Sequence, residues 1–177
     1  MNLFGIYPDD RVAVFIDGPS TYGAARFCGF DMDFKKVHDI LSQEHLLRSF
    51  YFTPMADTED FNSIKPLVDW LGYNGFTVIT KAAKEQFDSE GRKRIKNTDL
   101  NVDITIAALG IADRMDHAVF FSGDGSLTPL VSALQSKGVR VTVVSTREGS
   151  LLSEELRKAA DTFVDITNIK DHIQRVR

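Results

Sequence analysis

The chain is 177 residues long, 43% hydrophobic and 26% charged, the balance of a soluble globular protein large enough for one well-filled core. Its formal net charge of −4 excludes a global pull toward nucleic acid, so any such contact has to come from a local basic patch. The single cysteine, Cys28, excludes a disulfide framework and a cysteine-based zinc site. Residues 1–12 lack the basic flank and apolar run of a secretory signal, and no apolar stretch approaches the roughly 18 residues of a membrane span. A cytoplasmic protein without membrane contact is expected. Residues 1–10 read as a lead-in, and residues 11–177 as a single domain with its core in 11–166.

Residues 11–17, RVAVFID, form a continuous apolar run that stops at Asp17-Gly18-Pro19, which predicts a strand buried on both faces. A short helix with Ala24, Ala25 and Phe27 follows, and Asp33 is placed to cap a second helix whose apolar positions are Phe34, Val37, Ile40 and Leu41. Residues 46–53 predict the next strand, residues 54–60 a polar loop, and Phe61, Ile64, Leu67, Val68 and Leu71 one helical stripe. Asn74-Gly75 ends that helix, and residues 76–80 give the third strand. Residues 81–96 carry six basic residues against three acidic ones and little periodic apolar content, which predicts a loop or a mobile flap. Residues 100–115 read as a helix with Ile104, Ala107, Ala108 and Ile111 inward. Residues 118–121 are then a buried strand that runs into Ser122-Gly123-Asp124-Gly125-Ser126 and a helix bearing Leu127, Leu130, Val131 and Leu134. Gly138 ends that helix, residues 139–144 form a strand, Ser150 or Ser153 starts a further helix, and a short strand at 162–166 precedes an amphipathic tail. Strands alternating with helices define an α/β fold with a mostly parallel sheet covered on both faces.

All strand carboxyl ends of a parallel sheet lie on one edge, where open α/β sheets keep their ligands. Asp17 follows the first strand and Asp124 the strand at 118–121, so both project toward that edge. Paired aspartates suit a hard cation such as Mg²⁺, which takes oxygen ligands and keeps several waters, although Asp is also a common turn former and helix cap. Asp103, between Val102 and Ile104, sits close to the buried stripe of its helix, where an acid needs a partner or a cation. Asp99 reads as that helix's N-cap, which ranks Asp103 ahead of it. His38, His45, His117 and His172 have no ligand spacing, and His117 falls at a strand entry, opposite the acidic edge. Neither a Gly-x-x-x-x-Gly-Lys loop nor a Gly-x-Gly-x-x-Gly turn follows the first strand.

Phe15-Ile16-Asp17, the run VDITIA at 102–107, Ser122-Gly123-Asp124 and LRKAADTF at 156–163 stand in an order that resembles the NYN domain family, in its LabA-like bacterial branch. NYN domains are PIN-like ribonuclease domains. The resemblance implies a Rossmann-like three-layer α/β/α sandwich with about five to six strands, an acidic pocket holding Mg²⁺ or Mn²⁺, and hydrolysis of RNA phosphodiesters. It also allows for a homodimer. Carried onto this chain, the catalytic and metal-binding positions are Asp17, Asp103 and Asp124, supported by Ser20, Ser122, Ser126 and Asp99. Lys84, Arg92, Lys93, Arg94 and Lys96 are the expected contacts to the RNA backbone, single-stranded or structured. Two positions depart from the family pattern: Ser20 stands in place of Asn, and Ser126 in place of a second Asp, followed by Leu127 instead of Phe. A serine hydroxyl can coordinate a cation but supplies no charge, so a second metal would be held more weakly. The alternative reading is therefore a degenerate NYN domain that binds RNA or protein without cleaving. A haloacid-dehalogenase-like phosphatase would need a second Asp two residues after Asp17, where Pro19 stands.

Overall fold

The computed structural model describes residues 2–43, 45–55, 59–83, 85–95 and 98–176, and only the backbone of residues 59–62, 85, 86 and 93–95. In chain order its elements are β1 (Arg11–Asp17), α1 (Gly18–Phe27), α2 (Phe34–Leu41), β2 (His45–Met55), α3 (Glu59–Tyr73), β3 (Phe76–Ala82), β4 (Glu85–Phe87) and β5 (Lys93–Ile95). They continue with α4 (Asn101–Gly110), β6 (His117–Phe121), α5 (Thr128–Ser136), β7 (Arg140–Ser145), α6 (Glu154–Ala159), β8 (Thr162–Asp165) and α7 (Lys170–Ile173). Six strands make one sheet in the order β3-β2-β1-β6-β7-β8, and every pairing in it is parallel. The expected α/β architecture is what the chain adopts.

The continuous apolar run of β1 has its cause in this position. Val12, Val14 and Ile16 pack into one core with residues of α1, α2 and α7, while Ala13 and Phe15 pack into the other with residues of α4 and α5. On the second face Phe15 stacks between Phe50 and Phe120, at centroid distances of 5.2 and 4.9 Å. Offset aromatic pairs of this kind add to the area they bury. The helix starts follow local chemistry: Asp33 caps α2 by accepting from the backbone N–H groups of Lys35 and Lys36, and Ser153 caps α6 through Leu156 N.

Two elements differ from the sequence expectation. Residues 81–96 are not a structureless flap: β3 extends to Ala82, and β4 and β5 form an antiparallel hairpin. Its turn is built by Asp88, whose carboxylate accepts from Glu90 N and Arg92 N, and by Gly91 at φ 74°. This is turn chemistry that a search for apolar periodicity does not register. The helix expected at 100–115 ends at Gly110 and passes into a 3₁₀ turn, Ala112–Arg114. Among the described residues no helix is long and apolar enough to cross a membrane.

At the amino edge of the sheet, the segment before β1 is tied down by a buried polar cluster. His117 Nδ1 lies 3.2 Å from Asp10 Oδ2, its Nε2 lies 2.8 Å from Thr142 Oγ1, and Arg140 pairs with Asp10. Burial, opposed by the hydrogen bond to Asp10 and aided by the charge of Arg140, holds the imidazole pKa below its ordinary value. The unfolded chain then takes up the proton first. The stabilisation is complete above the ordinary histidine value of about 6.5 and is lost as pH falls through it toward the folded-state pKa. The thermal midpoint of the protein should therefore fall as pH drops through this window, and a His117→Gln variant should show a flatter profile; parallel profiles would remove His117 as the cause.

Candidate active site

Ile16 pairs with Phe121 in the parallel register of β1 and β6. The strand order runs outward from this pair in both directions, through β2 and β3 on one side and β7 and β8 on the other. The carboxyl ends of β1 and β6 thus flank the topological switch point of the sheet.

Asp17 is the last residue of β1 and the N-cap of α1. It is only 8% exposed. Its Oδ1 accepts from Ser20 N at 3.2 Å and its Oδ2 from the Ser122 hydroxyl at 3.3 Å. Asp124 reaches the same edge from β6 and caps the 3₁₀ turn Gly125–Leu127. Its Oδ1 accepts from Ser126 N and its Oδ2 from the Asn101 side-chain amide, both at 2.9 Å.

The two glycines around Asp124 are required by close packing. A Cβ on Gly123 would lie 1.8 Å from the carbonyl oxygen of Leu151, and one on Gly125 would lie 2.6 Å from the Ser153 hydroxyl. Gly123 also accepts from Ser153 N and donates to the Ser20 hydroxyl. The Ser-Gly-Asp-Gly-Ser turn is thus clamped between the start of α1 and the segment leading to α6.

Asp17, Pro19, Ser20, Asp124 and Ser126 line one pocket of about 520 Å³, closed on other sides by Thr98–Asn101, Gly123, Ser150 and Leu151. Asp99 lies in this pocket, one residue before the position that caps α4, and its Oδ1 accepts from Asn101 N at 2.8 Å. Asp103 lies elsewhere. It lines a shallow depression with Phe50, Ile79 and Ile106, and pairs with Lys81 at 2.8 Å, while the same ammonium donates to Asp99 O. The acids gathered by the structure are therefore Asp17, Asp99 and Asp124. Asn101, which fixes Asp124, and the Ser150–Leu151 wall were not anticipated. The only sequence hint of the wall was a possible helix start at Ser150. Of the basic residues, Arg92 pairs with Asp88 and Glu90 within the hairpin turn. Lys84 and Lys96 lie outside the described residues, as do the side chains of Lys93 and Arg94.

Electrostatics separates the two central carboxyls. Burial, and then the charges of Asp124 and Asp99, push the Asp17 carboxyl up against its hydrogen bonds from Ser20 and Ser122. Burial also acts upward on Asp124, but the hydrogen bonds from Asn101 and Ser126 outweigh it and hold that carboxyl below its ordinary value. Beneath Gly18, Tyr51 is pushed up to about 12 by burial and by the charge of Asp17, so its hydroxyl keeps its proton.

The donor set fits a hard divalent cation. The pocket collects carboxylate, hydroxyl and amide oxygens, and among the described residues no basic side chain lines it. Among the described residues no three His, Cys, Asp or Glu side chains form a group that could hold a metal ion by themselves. Mg²⁺ needs only one or two carboxylates and leaves its other positions to water and phosphate, and Asp17 and Asp124 are the residues that would hold it here.

A parallel α/β sheet with an acidic pocket at its switch point is the architecture in which open α/β folds bind their ligands. Residues 11–167 match the NYN domain, and the chain belongs to this PIN-like ribonuclease family, whose members are typically divalent-metal-dependent nucleases. The fold is similar to the crystal structure of a protein of unknown function from Vibrio parahaemolyticus, with a TM-score of 0.72 and 20% identity over 96% of this chain and 99% of that one. Identity at this level speaks for the fold alone. A mutant phosphofructokinase-2 from Escherichia coli aligns with a TM-score of 0.37 and 15% identity over 85% of this chain and 57% of its own, and no argument rests on it. No curated protein matches the chain.

A carboxyl whose pKa is raised by folding stabilises the fold below its unfolded pKa and loses that contribution as pH rises through the folded value. The Asp17→Asn variant keeps a capping side chain and removes the repelled charge. In the presence of a chelator it should melt above the wild type at neutral pH, by roughly 2–4 °C for each kcal/mol relieved, with the gap closing in acid. A lower melting temperature at neutral pH would show that the Asp17 charge is compensated in the metal-free protein.

Proposed function

We propose that this NYN domain is a divalent-metal-dependent ribonuclease whose site is the pocket of Asp17, Asp99 and Asp124. The observation that carries this reading is that three carboxylates line one pocket in which, among the described residues, no basic side chain stands, with Asp17 raised by burial and then by the charges of the other two. Asp124, held anionic by Asn101 and Ser126, is the anchor for Mg²⁺ or Mn²⁺, and Asp17 is its partner across the switch point. Asp99 adds negative charge. Asp103, tied to Lys81, acts by fixing the start of α4 and with it Asn101. When bound, the ion polarises the scissile phosphate and lowers the pKa of the attacking water. Ser20 and Ser126 orient groups around the ion. Because the raised proton affinity of Asp17 competes with the cation, metal affinity falls on acidification.

The basic hairpin β4–β5 leads directly into Thr98 and Asp99 of the pocket, which supports a role for Lys93, Arg94 and their neighbours Lys84 and Lys96 in contacting RNA phosphates. Arg92 serves mainly to hold the hairpin turn. Placement in the LabA-like branch and assembly as a homodimer belong to the same proposal and rest on the motif order alone. The degenerate, non-cleaving reading is favoured by two features, the serine at 126 in place of an acid and the serine at 20 in place of Asn.

A titration of cleavage decides between them. Wild-type protein should cut a labelled RNA only with added Mn²⁺ or Mg²⁺, and Asp124→Asn should lower the rate by about 10²–10³-fold, the scale of losing one electrostatic group of a catalytic site, with an unchanged circular-dichroism spectrum. RNA binding by the wild type without metal-dependent cleavage would favour the binding module.

A further inference from the structure

A second and third depression adjoin the acidic pocket in turn through shared lining residues. The second, of about 530 Å³, shares Pro19 with the acidic pocket and includes its neighbour Gly18. Its apolar wall is made by Tyr22, Phe30, Met32, Phe34, Tyr51 and Leu67. The third, of about 510 Å³, shares Phe34, Ser63, Leu67 and Arg175 with the second and adds Trp70 and Lys35. The trough therefore runs from the carboxylates, past an aromatic hollow, to a tryptophan flanked by two cations.

Several features of this trough do not fit a packing defect. Tyr22 stands 63% exposed at its rim, although it is a large aromatic side chain. Tyr51 is only 5% exposed and its ring meets Phe34 edge-on at 5.3 Å. Gly18 keeps the Tyr51 hydroxyl close to the α1 start, since a Cβ there would lie 2.8 Å from Tyr51 Oη. Lys35 and Arg175 are exposed and make no ion pair among the described residues. Among the described residues, the acids lining the trough are otherwise engaged: Asp33 caps α2 and Asp31 lies 3.7 Å from Arg26. Aromatic faces for stacking, beside cations that track a phosphate backbone, are the recurring parts of single-strand nucleic-acid sites. Each hollow lies within the roughly 300–1,000 Å³ range of small-ligand pockets and is ample for a base.

We infer that this trough is the path of single-stranded RNA leaving the cleavage pocket, with an unpaired base seated between Tyr22 and Tyr51 and the next nucleotides passing Trp70, Lys35 and Arg175. The inference rests on the ribonuclease reading, because it is continuity with the acidic pocket through Pro19 that identifies the occupant. Duplex RNA turns its bases inward and cannot fill the hollow. Stacking between a base and an aromatic ring is sequence-tolerant, so the site selects for unpaired strand and not for one base. The Tyr51 hydroxyl, a donor, adds a modest preference among bases.

Trp70 is the sole tryptophan, so its fluorescence reports on the trough directly. The test titrates a short fluorescein-labelled single-stranded RNA, and a duplex of the same length, into the full chain in the presence of a chelator. It follows label anisotropy, and intrinsic emission with unlabelled RNA. Single-stranded RNA should bind and quench Trp70 saturably, the duplex should bind more weakly, and Tyr22→Ala should weaken single-strand binding on the order of tenfold. Tyr51→Phe, which keeps the ring, should retain affinity and lose preference among homopolymers. RNA binding with unchanged Trp70 emission and unaltered affinity in Tyr22→Ala would overturn the trough and leave the metal-dependent cleavage by the Asp124 site standing. Equal quenching by the duplex would overturn the single-strand assignment. Absence of any RNA binding together with absence of metal-dependent cleavage would overturn both this inference and the reading beneath it.

Discussion

Pairing of Ile16 with Phe121 sets the ends of two fully buried strands side by side at the centre of the sheet. Everything chemically distinctive follows from that register. The last side chain of β1 is Asp17, and the first past β6 is Ser122, which donates to it. Two residues further on, the turn delivers Asp124 to the same pocket. A parallel sheet obliges the chain to leave both strands at one edge, and the reversal of strand order at β1 and β6 opens the crevice there. The apolar character of the two strands fixes the register, since a slip by one residue would exchange the two cores packed on the opposite faces.

The edge is held rigid from outside. Gly123 and Gly125 have no room for a side chain because the segment before α6 lies against them, and Ser153 bonds to Gly123 while also capping α6. Asn101 brings α4 to the same turn through Asp124. Two separate elements thus meet at one short loop, and the hydrogen bonds from Asn101 and from Ser126 within the loop hold Asp124 charged. Against that support, Asp17 is buried beside like charges and its proton affinity rises. Such a local conflict between stability and charge is characteristic of sites that bind or react. A divalent cation removes the conflict, since it reverses the sign of the field at Asp17.

The order of strands and helices could be read from the chain because apolar runs of strand length alternate with helical stripes, and each is bounded by Gly, Pro or a capping Asp or Ser. Asp17 and Asp124 were legible for the same reason: one ends its strand and the other stands in the turn just past its own, so the end of the strand fixes the place of each. Asp99 and Asp103 could not be ordered in this way. They are four residues apart around a helix start, where a shift of a single turn decides which one faces the pocket. That shift is set by Lys81, a residue on a different strand, which holds both Asp103 and the carbonyl of Asp99. The hairpin at 85–95 was missed because its strands are three residues each and its stability lies in the Asp88 turn. The trough beside α1 was invisible for a third reason. Its walls come from α1, α2, β2, α3 and the C-terminal tail, and their apolar residues look like ordinary core positions until the elements are assembled.

The account stands or falls on whether the acidic edge holds a divalent cation. Calorimetric titration of Mn²⁺ into the metal-free protein measures this without recourse to any substrate. Saturable binding at one site per chain, weakening as acid protonates the Asp17 carboxyl, is the predicted result. Absence of heat up to millimolar Mn²⁺ at neutral pH would contradict it and leave the carboxylates of this edge as structural caps.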